Sequence, residues 1–229
     1  MSKILSIETS ISICSVAIHD SGHLVGLLEL HQDAVHGSKL VPCIKSLMEQ
    51  TGYGMADLDA IAVAKGPGSY TGLRIGVSTA KGLAFAHDLA LIGVDSLDAL
   101  ARQVLPEVGP GNFVVPMIDA RRMEVYAKVL DHEANSLVAT RPEILNENSF
   151  GEYLERGKVY FLGNANEKAR KCLVSPQAVF REYVNGARWV GEIAGEKLLR
   201  GELENIAYFE PNYLKEFMVL KSKKNPLLS

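Results

Sequence analysis

The feature that most limits how this chain can fold is a glycine run in "AVAKGPGSYTGLRIGVSTAKGLA", residues 62–84. Its glycines stand at positions 66, 68, 72, 76 and 82. A Walker loop needs a Gly-Lys-Ser/Thr triplet five residues after its first glycine. Counting five on from 66 and 68 gives Thr71 and Leu73, so that loop is excluded. The dinucleotide fingerprint GxGxxG fails by one place, because its third glycine comes only at 72.

The later part of the run, Leu73 to about His87, is predicted to be a helix rich in small residues. A glycine inside a helix costs about 0.5–1 kcal/mol relative to alanine. Gly76 and Gly82 therefore indicate that a neighbour approaches this helix closely. That neighbour is either part of the same lobe or another protein chain, and the pattern leaves both open. Arg74 falls in the first turn, where the helix dipole disfavours a cation unless an anion is near.

Composition indicates a globular protein with one large domain or two lobes: 229 residues, of which 47% are hydrophobic. The formal net charge of −3 argues against a protein that binds nucleic acid by itself. Three cysteines without a CxxC pair are typical of a reducing compartment. No apolar run approaches the ~20 residues of a membrane span, and the N-terminus lacks a signal peptide's apolar region. We expect a cytoplasmic protein with no membrane partner.

The first half of the chain is predicted to form a lobe over residues 1–105. Residues 3–31 have the pattern of a three-stranded antiparallel meander, with Asp20-Ser21-Gly22 as a turn. A helix follows that ends at Gly52 and carries Pro42 in its first turns. Residues 59–65 predict a buried strand, and Ser96 is the expected N-cap of a further helix. Prolines and glycines at 106–111 mark the predicted boundary.

Residues 106–229 are predicted to form a second lobe and a tail. A hairpin is expected around Arg121-Arg122, followed by helices at about 148–156 and 187–200 with the strand "KVYFLG" between them. Two lobes that each combine a meander with helices indicate an internally duplicated α/β fold. Lys221, Lys223 and Lys224 give the tail a small basic cluster, which is most often a solvated end.

Common catalytic patterns are missing from the sequence. His19 and His23 flank a turn, and His31 and His36 lie five apart, so neither pair has the helical spacing of a zinc protease. Exposed turn histidines are the expected interpretation. No serine stands in a Gly-x-Ser-x-Gly elbow, so a Ser-His-Asp hydrolase is unsupported.

Four segments together resemble one family: "ILSIETSISICSVAI", "KGPGSYTGLRIGVSTAKGLA", "PMIDARRMEVY" and "PNYLK". They are similar to the bacterial TsaB (YeaZ) family, strongest over residues 3–105 and patchier over 135–201. The resemblance implies a two-lobed α/β fold of the actin-like ATPase, sugar kinase and heat-shock protein (ribonuclease H-like) type, each lobe a mixed sheet with helices. It also implies a relation to TsaD, the catalytic subunit that places threonylcarbamoyl on adenosine beside the anticodon of certain tRNAs.

The chain departs from that catalytic sibling where the sibling's chemistry lies. Two metal-binding histidines of the sibling correspond here to Ser96 and Leu100, and leucine has no donor atom for a metal. A glycine-rich phosphate turn corresponds to residues 119–122, and a Gly-Gly pair to Gly163-Asn164. Glu8 keeps a carboxylate at the end of the first strand, but one carboxylate does not make a phosphotransfer site. We therefore expect no catalysis by this chain alone and no cofactor bound strongly by it.

The resemblance implies a non-catalytic partner subunit that binds a TsaD-type catalytic subunit through the two helices of the first lobe. The expected partner contacts are Leu40, Ile44, Leu47, Leu73, Val77 and Ala80, and Val77→Arg is expected to abolish pairing while the chain stays folded. An equal alternative is that the same stripe faces the chain's own sheet. The candidates for an anion or nucleotide contact are Glu8, Arg74, Arg121 and Arg122; for the two turn arginines, solvation is an equal alternative.

The resemblance further implies a TsaE-type ATPase subunit, a threonylcarbamoyl-adenylate synthase, and ATP, a metal and tRNA for the whole complex. Two other functions remain open from the sequence. The chain could be a stand-alone peptidase- or ATPase-like enzyme of the same fold, or a regulatory homodimer whose apolar helices pair with themselves.

Overall fold

A computed structural model describes residues 2–214. The first half of the chain contains a mixed five-stranded sheet. Its order is β3-β2-β1-β4-β5. The first three strands are antiparallel, which confirms the predicted meander, and β4 and β5 run parallel to β1. The strands are β1 Lys3–Glu8, β2 Cys14–Asp20, β3 His23–Leu30, β4 Ala60–Gly66 and β5 Ala90–Asp95.

The second sheet repeats the first, with the order β8-β7-β6-β9-β10. Again three antiparallel strands are followed by two parallel ones. Its strands are β6 Phe113–Asp119, β7 Glu124–Asp131, β8 Ser136–Ile144, β9 Val159–Leu162 and β10 Ala178–Arg181. This repetition confirms the internally duplicated, two-lobed α/β fold and the predicted hairpin. Strands β8 and β10 were not predicted.

Six α-helices are described within residues 2–214: α1 His36–Thr51, α2 Tyr70–His87, α3 Ser96–Ala101, α4 Gly151–Leu154, α5 Asn166–Ala169 and α6 Ala187–Leu199. As predicted, α1 is followed by Gly52, whose φ of 75° lies in the left-handed region. Pro42 lies in the second turn of α1, within its first turns as expected. One expectation was wrong. Ser96 is the first residue of α3, and Asp95 caps it by accepting N–H bonds from Leu97 and Asp98, at 2.8 and 3.2 Å.

The two faces of the first sheet are covered by different parts of the chain. Helices α1 and α2 pack on one face, where β1, β2 and β4 contribute buried aliphatic side chains. Helix α6 packs on the other face, with Val190 and Ala194 against Ile4 and Ile92. Residues 201–214 then return along the first lobe, where Phe209 is buried in the same core as α1 and α2. The boundary predicted at residue 106 thus separates the strands of the two sheets, while α6 crosses back.

Within the described residues, no helix has the length and apolar character needed to span a membrane. The basic cluster at 221–224 and the last residue of "PNYLK" lie outside the part of the chain that the structure describes.

Candidate functional site

The glycine run is used mainly inside the first lobe. A Cβ on Gly72 would overlap the carbonyl oxygen of Thr9, and one on Gly76 would overlap the Thr9 hydroxyl. The Thr9 hydroxyl donates to the carbonyl of Gly72 at 2.9 Å, and the N–H of Ser69 donates to the carbonyl of Ser10 at 2.6 Å. The first turns of α2 therefore lie directly on the segment after β1, and only glycine fits there. Gly82 differs, because a Cβ there would meet nothing within 4 Å.

The six predicted partner contacts all lie inside the lobe. Their exposed fractions run from 0 to 5%, and five of them belong to the core beneath α1 and α2: Leu40, Ile44, Leu47, Val77 and Ala80. Leu73, at 1% exposure, packs close to Gly66. The expectation for Val77→Arg needs correction: Val77 is 3% exposed, so arginine there would bury a charge and unfold the lobe.

The solvent-facing sides of the same two helices form a separate surface, which we call the helix face. It consists of Val41, Lys45 and Glu49 on α1 and Arg74, Ser78, Gly82 and Phe85 on α2. Phe85 is 80% exposed and Val41 61% exposed. Exposed large apolar side chains beside small residues are typical of a protein-binding surface.

A groove runs between the two helices next to this face. It encloses about 470 Å³ between α1 from Val41 onward, residues 52–55 and Leu83 of α2. Its walls are mainly apolar, with Val41, Met48, Tyr53 and Met55 among the lining side chains. The single described ion pair on this side of α1 joins Lys45 to Glu49 at 3.8 Å.

A row of buried polar side chains lies between α6 and the first sheet. Glu8 is fully buried, and desolvation raises its pKa to about 7. The N–H of Ser10 donates to Glu8 at 2.5 Å, and this hydrogen bond lowers the pKa by less than desolvation raises it. His19 is also buried, which corrects the expectation of an exposed turn histidine at that position, whereas His23 and His31 are exposed as expected. Desolvation, with a contribution from Arg188, lowers the pKa of His19 to about 4.

His36, the first residue of α1, is buried too, and its Nε2 lies 3.2 Å from the carbonyl of Ile13.

The turn that corresponds to the sibling's phosphate turn is filled by the chain itself. Asp119 accepts the N–H of Arg121 at 2.6 Å and pairs with Lys168 at 3.1 Å. The N–H of Asp119 donates to Asn164 Oδ1 at 2.8 Å, so two backbone donors of this region are already used. Lys168 also donates to the carbonyl of Arg122 at 3.1 Å. With these donors engaged, the turn does not present the backbone N–H groups of Asp119 and Arg121 to a phosphate.

The positions that correspond to the sibling's metal ligands lie at the start of α3. Ser96 is buried, and Leu100 packs in a core shared with β6, β7 and β9. Asn185 donates to the carbonyl of Ser96 at 2.8 Å. The site is thus part of the packing between the lobes.

The arginines named as anion contacts are all on the surface. Arg74 lies over the ring of Tyr70, 5.5 Å from its centroid, and donates to the Tyr70 hydroxyl at 3.2 Å. Arg121 and Arg122 both have positive φ, 75° and 50°, at the tip of the β6–β7 hairpin. The structure does not bring Arg74 and Glu8 together, since one is exposed and the other is buried.

Sequence reasoning missed the residues that hold α2 from its other side. Lys81, Phe209 and Tyr213 are far apart in the chain and meet only in the fold. It also missed Phe85 as a surface anchor, although a signal existed: Phe85 is a large apolar residue outside the periodic buried stripe of its helix. Val41 gave no such signal, because it recurs at helical spacing with the buried residues of α1.

Comparison with known proteins places the chain among relatives of one pathway. A family model described as "TsaD: tRNA N6-adenosine threonylcarbamoyltransferase" matches residues 31–153, more than half of the chain. A TsaB protein of Haemophilus influenzae is 39% identical over 54% of this chain, and the match spans about half, 51%, of that relative's length. A TsaB protein of Buchnera aphidicola from Acyrthosiphon pisum is 30% identical over 80% of this chain and 78% of its own length.

A solved structure extends the likeness to the fold. A Pseudomonas aeruginosa protein described as similar to peptidase YEAZ superposes with a TM-score of 0.83 at 27% identity. The superposition covers 94% of this chain and all of the other. With the duplicated sheets, the tightly packed glycine run and these relatives, the chain belongs to the TsaB (YeaZ) family of tRNA threonylcarbamoyladenosine biosynthesis proteins.

Proposed function

We propose that this chain acts in tRNA threonylcarbamoyladenosine biosynthesis as a non-catalytic subunit that binds a TsaD-type catalytic subunit through its helix face. The observation that carries the proposal is the exposure of Phe85 and Val41 beside Ser78 and Gly82. Small residues let a partner helix approach α2 closely, and the two exposed apolar side chains supply anchors that lose water on binding. The adjoining groove accepts an apolar side chain of the partner.

The non-catalytic part of the proposal is supported by the altered sibling positions. Leu100 offers no donor atom to a metal, and its side chain belongs to the core between the lobes. The turn at 119–122 uses its backbone donors internally. In this proposal the ATP and the metal are bound by the complex, which has a TsaE-type ATPase as a further subunit. The complex binds tRNA and works in the cytoplasm. Arg74, Arg121 and Arg122 remain candidates for an anionic contact there.

The test is Gly82→Arg, with Gly195→Arg in α6 as the matched control. Both positions are helical and have open space around the added side chain, so both variants are expected to fold. An arginine at 82 holds a partner helix away from α2, whereas one at 195 lies on the helix that covers the opposite sheet face. Each variant is mixed with the TsaD-type protein of the same genome and examined by size-exclusion chromatography with light scattering.

We expect a heteromeric peak for the native chain and for Gly195→Arg, and at least about a 30-fold weaker affinity for Gly82→Arg. Equal binding by both variants would exclude α2 from the interface. A native chain that forms only dimers with itself, dissociated by Gly82→Arg, would instead support the homodimer function, because the same apolar face would then be self-complementary.

A further inference from the structure

Residues 203–214, which we call the strap, run along the first lobe without forming a helix or a strand. The strap is nevertheless held at several points. The N–H of Glu204 donates to the carbonyl of Leu91 at 2.8 Å, and the N–H of Asn212 donates to the carbonyl of Lys65 at 2.7 Å. The Glu204 carboxylate pairs with Lys65 at 3.1 Å. Phe209 is 7% exposed and packs in the core beneath α1 and α2.

The strap approaches so closely that two residues beneath it must be glycine. A Cβ on Gly66 would lie 2.8 Å from the carbonyl oxygen of Asn212. One on Gly93 would lie 2.7 Å from the Glu204 carboxylate and 2.8 Å from the Phe209 ring. Gly66 opens the glycine run and Asn212 belongs to "PNYLK", so two segments that carry the family resemblance meet at this contact.

The strap also holds α2 at two points along its length. Near the start of the helix, the rings of Tyr70 and Tyr213 lie 4.7 Å apart. Three turns further on, the Lys81 ammonium donates to the carbonyl oxygens of Phe209 and Ala207, at 2.8 and 3.4 Å. The two contacts are separated by about 16 Å along the helix axis.

These contacts lie on the side of α2 opposite to α1. With 3.6 residues per turn, Tyr70 and Lys81 are only about 20° apart around the axis. Two other residues of α2 face α1. The Cδ1 of Ile75 would be 3.8 Å from a Cβ on Gly37 of α1, and Leu83 lines the groove with α1. Both lie on roughly the opposite side of α2 from Tyr70 and Lys81. Helix α2 is therefore held between α1 and the strap, and Ser78, Gly82 and Phe85 face solvent between them.

We propose that the strap positions α2 for partner binding, with Lys81 and Tyr213 as positioning residues that do not touch the partner themselves. This inference rests on the proposed function, because it concerns the same helix face. A partner that packs closely on Gly82 requires α2 in one rotation and one axial position, and the two strap contacts fix both. Ordering of the strap and binding of the partner are then thermodynamically linked, so each favours the other by the same factor.

The experiment compares Lys81→Met and Tyr213→Ala with two controls. Lys171→Met removes an exposed lysine just after α5 in the second lobe, and Tyr213→Phe keeps the ring that packs against Tyr70. Affinity for the TsaD-type subunit is measured by titration, and amide hydrogen exchange of Glu204 and Asn212 is measured with and without that subunit. Circular dichroism establishes that each variant is folded at the temperature used.

We expect Lys81→Met and Tyr213→Ala to weaken binding about 5- to 50-fold and the two controls to bind like the native chain. We also expect the partner to slow exchange at Glu204 and Asn212, which a purely structural strap would not require. If folded Lys81→Met and Tyr213→Ala bind with native affinity, or if the partner leaves strap exchange unchanged, the inference is overturned and the proposed function stands. If the native chain does not bind the TsaD-type subunit, the proposed function and this inference are both overturned.

Discussion

At the scale of single residues, Glu8 is unusual among the described carboxyl groups because it is fully buried. A fully buried carboxyl whose pKa is raised to about 7 by desolvation keeps its proton under conditions where an exposed glutamate has lost it. Nearby, Ser6, His19 and Asn185 are buried as well, and each has a polar atom without a hydrogen-bond partner among the described residues. The packing of α6 on the first sheet therefore contains a polar row that favours neutral groups.

Glu8→Gln is expected to change how stability depends on pH. The folded-state pKa of Glu8 is raised from 4.5 to about 7, so stability from the neutral carboxyl is complete below about pH 4.5 and is lost as pH rises through 7. Glutamine does not ionise and escapes this loss. The free energy of unfolding of the variant, relative to the native chain, should rise by about 1–3 kcal/mol between pH 4.5 and 8. Urea unfolding at several pH values measures it.

Glu49→Gln serves as the control for that measurement, because Glu49 is an exposed carboxylate on α1. The Glu8→Gln difference is compared with the one that Glu49→Gln gives over the same pH range. A Glu8→Gln difference that stays constant would show that Glu8 ionises in the folded chain as it does in the unfolded one.

At the scale of elements, helix α2 has two kinds of glycine that one substitution distinguishes. Gly72→Ala should lower the free energy of unfolding by about 1–3 kcal/mol, because its Cβ overlaps the backbone of Thr9. Gly82→Ala should raise it by about 0.5–1 kcal/mol, since the new methyl group meets open space and alanine favours the helix. Both values come from urea unfolding curves. Equal effects at the two positions would mean that α2 does not rest on the segment after β1.

The helices and strands could be predicted from the sequence wherever their apolar residues recur with a clear helical or strand period. The meander, α1, α2 and α6 follow from apolar spacing and from capping residues such as Gly52. Strand β8 could not be predicted in the same way, because its sequence "SLVATRPEI" is largely exposed and contains a proline.

The exposed side of each helix was harder to predict than the helix. Leu40 and Ile44 on α1, and Val77 on α2, belong to apolar stripes at helical spacing. A core and an interface select the same residue types, so this spacing shows which face of a helix is buried but not whether the chain itself or a partner buries it. In this chain that face is buried in its own lobe. Contacts such as Lys81 with residues 207–209 depend on a chain reversal over more than 120 residues, and no local pattern encodes it.

At the scale of the whole molecule, the first lobe is not an independent unit. Val190 and Ala194 of α6 complete one of its cores, and Phe209 of the strap completes the other. Arg102, just after α3, pairs with Glu192 at 3.8 Å and with Glu196 of α6. The lobes are also joined directly, since Lys128 of β7 pairs with Asp98 of α3 at 2.6 Å.

A fragment of residues 1–105 is therefore expected to lack a stable fold. Without α6, the sheet face that carries Ile4, Ala62 and Ile92 would be open to water. We expect poor dispersion in its NMR spectrum and a non-cooperative thermal transition by circular dichroism, whereas the full chain should unfold in a single step. A fragment with a cooperative transition near that of the full chain would contradict this packing.

The return of α6 to the first sheet also has a consequence for synthesis on the ribosome. About 90 residues separate the end of β5 from the start of α6. At translation rates of about 5–20 residues per second, the strands of the first sheet are synthesised roughly 5–20 s before the helix that covers them. During that interval their apolar side chains are available to chaperones and to neighbouring nascent chains. The order of the elements thus makes the N-terminal half of this protein the last part to complete its fold.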